Sequence, residues 1–199
     1  PAANMVGQGI NVALTTIVSF SPVLAGLLLG GFWQVMVLFG VHGIPIMFAF
    51  MDLMAGNPST ILPLTFGASW AVLGTVLAVY LRTKDEKLKG VALPAAISAV
   101  FGVTEPSVYG VLLPNFKVFV TTCIGAGIGG LICALMGMVQ YSYTGMGIVG
   151  ILAYMNPNGN TNFLGIALIV LVPMIVAFLL AFFLFKDKEA EETKKKAPV

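Results

Sequence analysis

"AVFGVTEPSVYGV", residues 99–111, sets one carboxylate, Glu105, inside an otherwise apolar run. A proline follows it directly, and Gly102 and Gly110 flank it. Pro106 pushes the residue before it out of helical geometry. It is itself suited to the first position of a new helix. Pro94 has the same aptitude upstream, so the sequence predicts a half-helix over 95–103, roughly 14 Å long at 1.5 Å per residue. A second short run follows Pro106 and stops at Pro114 and Asn115. Two half-helices around a broken tip make a hairpin that enters a membrane and turns back, with residues 104–106 at its tip.

The rest of the chain supplies the membrane. It is 58% hydrophobic and 9% charged, with mean hydropathy +0.99. An ordinary soluble domain carries roughly 25% charged residues. Four stretches, 23–41, 61–81, 118–139 and 163–185, are apolar and long enough to span, given that a crossing helix needs about 20 residues. The fold class is therefore an all-α integral membrane protein, a multi-span helical bundle with broken helices and a re-entrant hairpin. Gly125 and Gly129 have the GxxxG spacing that lets helices approach closely, and Pro173 is expected to kink the last span. Residues 141–162 are glycine-rich and end polar, which reads as a loop or a partial insertion. Nothing in the composition points to nucleic acid.

Charge placement gives the topology. The stretches 82–89 and 186–199 hold nine of the ten basic residues and six of the eight acids. The positive-inside rule puts both in the cytoplasm, so an even number of crossings separates them. The spans 118–139 and 163–185 make two. The segment 90–117 must then enter and leave on one side, in agreement with its proline pattern. A crossing by 141–155 would restore the parity another way.

Four ionisable residues lie outside those charged stretches: His42, Asp52, Glu105 and Lys117. A charged group near the bilayer centre costs roughly 2.5–3.5 kcal/mol on insertion scales. Irregular backbone at that depth survives where it is buried in protein or lines a cavity, and transporters place such breaks at their binding sites. Glu105, at the tip, is read as a group that binds something polar. A carboxylate that only caps its half-helix is the plainer alternative. His42 sits at a second break, "FGVHGIP", and is expected to line the same cavity. Asp52 precedes the turn "GNPST" and reads as interfacial. Lys117 follows the hairpin and can snorkel to the surface. Trp33, Trp70, Tyr80 and Tyr109 are candidates for stacking on a sugar ring or for ordinary packing. Cys123 and Cys133 stand about 15 Å apart along one helix, too far for a disulfide. They are read as packing residues, with no metal site and no cofactor implied.

"FGVTEPSVYGVLLP", 101–114, and "LAGLLLGGFWQVMVLFGVHGIPI", 24–46, together resemble the membrane component, enzyme IIC, of the bacterial phosphoenolpyruvate-dependent sugar phosphotransferase system. The likeness is nearest to its β-glucoside, sucrose and trehalose branch and covers roughly residues 21–185. It implies a transport domain over 23–185, preceded by an interfacial or truncated segment (1–22) and followed by a charged cytoplasmic linker (186–199). It implies that Glu105 hydrogen-bonds the sugar and that His42 orients a hydroxyl, making these two the catalytic candidates. Gly102, Thr104 and Pro106 then complete the substrate-binding loop. Relatives often read His-Trp where this chain has His42-Gly43, which leaves no aromatic at that position. The implied function is sugar uptake coupled to phosphorylation at the bacterial inner membrane. The partner is a phosphorylated IIB domain, and a homodimer forms through a first membrane half absent from this sequence. This fragment alone is expected to be inactive. The competing reading is a proton-coupled secondary sugar transporter with Glu105 as the proton carrier; a scaffold is a third.

Overall fold

The computed structural model describes Val12 and residues 16–187. The segment expected over 1–22 lies mostly outside those residues, as does the linker beyond Asp187. Six long helices order the rest: α1 (Pro22–Leu38), α2 (Gly43–Met54), α3 (Pro63–Arg82), α4 (Glu86–Val100), α5 (Phe116–Leu135) and α6 (Phe163–Leu184). No strand occurs among the described residues; an isolated bridge between Ser59 and Gln140 joins two loops. Ser21 caps α1, its Oγ accepting from the Leu24 N–H at 3.3 Å, and Pro22 takes the first turn. Helix α3, the run Glu105–Leu135 and helix α6 are each long and apolar enough to cross a membrane.

Helices α1, α3, α5 and α6 pack into one bundle, with α5 touching the other three. Glycines on two sides of α5 make this possible. A methyl group on Gly26 of α1 would land on the Gly130 carbonyl, and one on Gly130 would land on the Gly26 carbonyl. On its other side, a β-carbon at Gly129 would lie 3.1 Å from the Gly67 Cα of α3, and one at Gly125 would lie 2.9 Å from the Pro173 carbonyl of α6. Backbones this close gain dispersion and weak polar contacts along their whole length, the means by which helices associate in lipid. The pairings 26 with 130 and 30 with 126 make α1 antiparallel to α5. Gly67 opposite Gly129 and Thr75 opposite Thr122 do the same for α3. Helix α6 continues unbroken through Pro173, whose ring fills the seam beside Gly67 and Gly129.

The hairpin forms, with three departures from expectation. Its first arm starts at Glu86, not at Pro94, which lies inside α4. The start is set by Asp85, whose Oδ1 accepts the Lys87 N–H at 2.8 Å, and by the Lys89–Glu86 ion pair at 3.0 Å. Charged Glu and Lys read as loop in a membrane chain, but both are good helix formers. Pro94 costs one hydrogen bond, and Gly90 four residues earlier faces open space where the proline ring needs room. The arm is thus 15 residues, about 22 Å, rather than the short half-helix.

The return arm is the second departure. It opens as an α-turn, Glu105–Ser107, widens to a π-turn over Val108–Leu112, and tightens to a 3-10 turn at Leu113–Asn115. Pro114 has no N–H to give, and the Leu113 N–H reaches back to the Val108 carbonyl. The Asn115 side-chain amide donates to the Val111 carbonyl at 3.3 Å. Asn115 leaves helical geometry (φ −125°, ψ 74°), and α5 begins at once. The run Glu105–Leu135 therefore spans 31 residues, about eleven more than a crossing needs. The excess is the return arm. Third, α5 stops at Leu135, short of 139, because Gly137 turns the chain at φ +58°.

The two arms lie antiparallel. Ser107 Oγ donates to the Ala95 carbonyl at 3.0 Å, and a β-carbon on Gly110 would sit 2.7 Å from Val91 Cγ1. Both open ends meet the end of α6: Asp85, Val91, Gly110, Asn115 and Phe185 line one cleft. Asp187 beyond α6 accepts from the Lys84 N–H at 2.6 Å and the Thr83 hydroxyl at 3.0 Å. The chain between the two charged stretches thus enters and returns on one face.

Candidate functional site

At the hairpin tip the chain turns through Gly102, at φ +86°, a conformation open to glycine and costly for other residues. The tip meets a loop from the opposite end of the bundle. Met146 and Gly147, the latter at φ +69°, press their backbone against residues 100–102. A β-carbon on Gly102 would sit 2.5 Å from the Met146 carbonyl carbon, so this contact exists because positions 102 and 147 are glycines. The partial insertion expected around 141–162 is this loop, with short helical turns at Gly147–Gly150 and Ile151–Tyr154.

Beyond the contact, Thr104 is buried while Glu105 and Pro106 are exposed. The Glu105 carboxylate makes no hydrogen bond or ion pair among the described residues. No side-chain cap hydrogen bond is made at the turn Glu105–Ser107.

His42 lies at the junction of α1 and α2, which bend by 120°. Gly40 at φ +69° starts the turn. The imidazole is half-buried, and its Nδ1 is buried with no hydrogen-bond partner. It stands edge-on to Trp33, ring centroids 5.9 Å apart at 74°. The aromatic neighbour missing at Gly43 is therefore supplied from nine residues upstream. Trp33 is 2% exposed and packs with Ala68, Ala71, Ala126, Ala177, Ile46 and Met146. Met146 thus packs against the buried cluster that contains Trp33 and against the hairpin turn at Gly102. The two motifs are brought to one level, that of residues 66–71 of α3, and share the 146–147 segment.

The unpaired polar atoms gather at the same level. Among the described residues, buried side-chain polar atoms without a partner occur on Gln34, His42, Trp70 and Tyr154. Trp70 belongs to the level itself, and Tyr154 stacks edge-on against Phe66 at 5.0 Å. Its hydroxyl lies beside the Gln140 amide but outside hydrogen-bond geometry. Gln34 adjoins Trp33 in sequence and is 0% exposed, with both amide atoms unpaired. A buried polar group without a partner costs about 1–3 kcal/mol. In these four residues the fold leaves hydrogen-bonding capacity unspent.

The remaining candidates fall elsewhere. Asp52 is exposed on α2, without a hydrogen bond or ion pair among the described residues, and Lys117 is exposed at the start of α5. Trp33 and Trp70 are core residues, so neither is a stacking platform, while Tyr109 is 54% exposed on the return arm. Cys123 and Cys133 are free and pack within α5. No group of three or more His, Cys, Asp or Glu among the described residues converges on a metal-binding geometry. Gln34 is the residue that sequence reading passed over. Its signal was an amide in a 19-residue apolar run, but with no charge it did not enter a list built on ionisable groups.

The family model described as "Phosphotransferase system, EIIC" matches residues 1–127. Among curated relatives, the β-glucoside-specific EIIBCA component of Halalkalibacterium halodurans is 41% identical over 157 residues, 79% of this chain and 25% of the relative. The sucrose-specific EIIBC component of Bacillus subtilis is 35% identical over 202 residues, 98% of this chain and 42% of the relative. A trehalose-specific EIIBC component of the same organism is 29% identical over 192 residues, 94% of this chain and 40% of the relative. The chain spans a quarter to about two fifths of the length of these relatives. No solved structure matches.

Proposed function

The chain belongs to the EIIC family of the phosphotransferase system, and from that premise we infer that it forms a sugar-binding membrane region of a β-glucoside-type permease in the bacterial inner membrane. Residues 23–185 act as transport domain in this reading, and the sugar sits at the level of residues 66–71 of α3. One observation carries it: the Met146–Gly147 segment packs both on the hairpin turn at residues 100–102 and on the buried cluster that contains Trp33, whose ring stands edge-on to His42. A sugar suits this place. Its hydroxyls donate to a free carboxylate and exchange bonds with unpaired imidazole and amide atoms, while its ring faces lie on apolar walls.

The chemistry follows from the groups present. A IIB domain, fused to EIIC in the relatives named above, presents a phosphocysteine from the cytoplasmic side. A sugar hydroxyl oxygen attacks phosphorus, the S–P bond breaks, and the thiolate leaves. Phosphoryl transfer of this kind depends on positioning and electrostatics more than on covalent help from the membrane domain. Glu105 accepts the hydroxyl proton or a hydrogen bond from it, and His42 orients the hydroxyl. Gly102, Thr104 and Pro106 shape the loop that aims Glu105. Dimerisation belongs to the full-length protein.

The test is uptake of labelled β-glucosides by the full-length protein with its phosphorylated IIB partner, followed by identification of the internal product. A sugar phosphate is expected. Accumulation of free sugar driven by a proton gradient would replace this reading with a proton-coupled carrier.

A further inference from the structure

The ends of the last two spans form a second, separate cleft. It is lined by Asn115, Phe116 and Lys117 at the start of α5 and by Leu184, Phe185 and Lys186 at the end of α6. Lys117 sits in the first turn of α5 and Lys186 two residues past the end of α6, and both are exposed. Phe116 and Leu184, beside them, are 68% and 49% exposed. Phe185, 3% exposed, forms the inner wall. Two cations over an apolar wall, at the end of two membrane helices, make a surface with a charged rim and a greasy flank.

The neighbouring cleft gives the contrast. It shares Pro114, Asn115 and Phe185 as a partition, and its own charged lining is Asp85, Lys87 and Asp187. There the Asp187 carboxylate is engaged by Thr83 and Lys84. Among the described residues no carboxylate lines the lysine side of the partition, whereas two line the other. A lysine at a helix end ordinarily snorkels alone to the interface. Here two, one in the first turn of α5 and one just past α6, line one cleft beside the exposed Phe116 and Leu184.

We propose that this cleft binds the headgroup phosphate of an anionic phospholipid, with Lys117 and Lys186 on the phosphate and Phe116 and Leu184 against the first acyl carbons. The lipid then joins the start of α5, next to the Asn115 hinge of the hairpin, to the end of α6. A free phosphate shares the charge chemistry but has nothing to place on the apolar flank. The proposal is independent of the sugar site.

Native mass spectrometry of the full-length, partly delipidated protein tests it. Wild type is expected to retain phosphatidylglycerol over phosphatidylcholine. The double variant Lys117→Gln/Lys186→Gln is expected to lose roughly tenfold in that preference. Lys87→Gln, in the acidic cleft, should leave it unchanged, and Lys117→Arg/Lys186→Arg should restore it. Unchanged melting temperature of the Gln double variant in phosphatidylcholine establishes that it folds. If it does not, the Arg pair against the single Gln variants carries the same comparison. Equal retention of the two lipids by wild type, or equal phosphatidylglycerol retention by wild type and Gln variant, overturns the proposal. Stabilisation by inorganic phosphate but not by phosphatidylglycerol assigns the cleft to a soluble anion and overturns it as well.

Discussion

The bundle seam and the level of residues 66–71 treat polar side chains in opposite ways. In the bundle the buried threonine hydroxyls are all hydrogen-bonded among the described residues. Thr122 donates to Thr75 at 2.9 Å or to the Val118 carbonyl at 3.1 Å, and Thr121 donates to the Val118 carbonyl at 2.7 Å. Thr65 returns its proton to the Leu62 carbonyl. A few residues away, Gln34, His42, Trp70 and Tyr154 keep buried donors or acceptors unpaired, and Glu105 projects free. In the seam, close backbone packing leaves no room for another molecule and polar groups must be closed locally. At the tip, backbone is broken and polar capacity is held back, the arrangement expected where a polar ligand completes the structure.

Substitutions separate the two regions. The largest effect is expected in the seam. Gly130→Val places a branched side chain on the Gly26 and Leu64 carbonyls, and no neighbouring side chain can swing away because the clash is with backbone. Overpacking costs 1–3 kcal/mol and more where backbone must move, so the purified yield and melting temperature should collapse. A variant that folds normally would break the account of the seam.

Next comes Glu105→Gln. The amide keeps the shape and an acceptor but loses the charge. Charge-assisted hydrogen bonds contribute about 1.5–3 kcal/mol against roughly 1 for neutral ones. Sugar binding by the full-length protein should weaken by about tenfold, with melting temperature unchanged because the carboxylate has no partner to lose. Wild-type affinity and phosphotransfer in this variant would remove Glu105 from the site.

The smallest effect, and the one with the most telling sign, is at Gln34. Replacing a buried, unpaired amide with an apolar side chain of similar length removes a desolvation cost of about 1–3 kcal/mol. Gln34→Met is expected to raise the melting temperature while lowering sugar affinity. Thr122→Val, which loses a made hydrogen bond, should lower stability by roughly 0.5–1.5 kcal/mol and leave affinity alone. Identical behaviour of the two variants would erase the distinction between the regions.

The hairpin shows how much of this was readable in advance. Its existence and tip followed from Gly102, Thr104, Glu105 and Pro106, since the break is local chemistry. Its depth did not. Helix α4 begins at the charged Glu86, and whether Glu and Lys sit in a loop or in a first helical turn depends on the Asp85 cap and on room around Gly90. The same holds for His42. The flanking glycines announced a turn, and the bend is 120°. That Trp33 would be its neighbour is a matter of where α1 lies against α3.

The sequence by itself determined the membrane class, the approximate spans, the two breaks and the short list of Glu105 and His42. Each of these is a property of one stretch of chain: hydropathy over about 20 residues, a proline's missing N–H, a charge with no business in hydrocarbon. Tertiary structure alone decided that the two breaks share Met146, that Trp33 and Trp70 are core and that Gln34 is buried unpaired. It also decided that Lys117 and Lys186 line one cleft. These depend on how far helix axes stand apart, and that distance is set by glycines meeting backbone across the seam, a pairing that no single segment encodes.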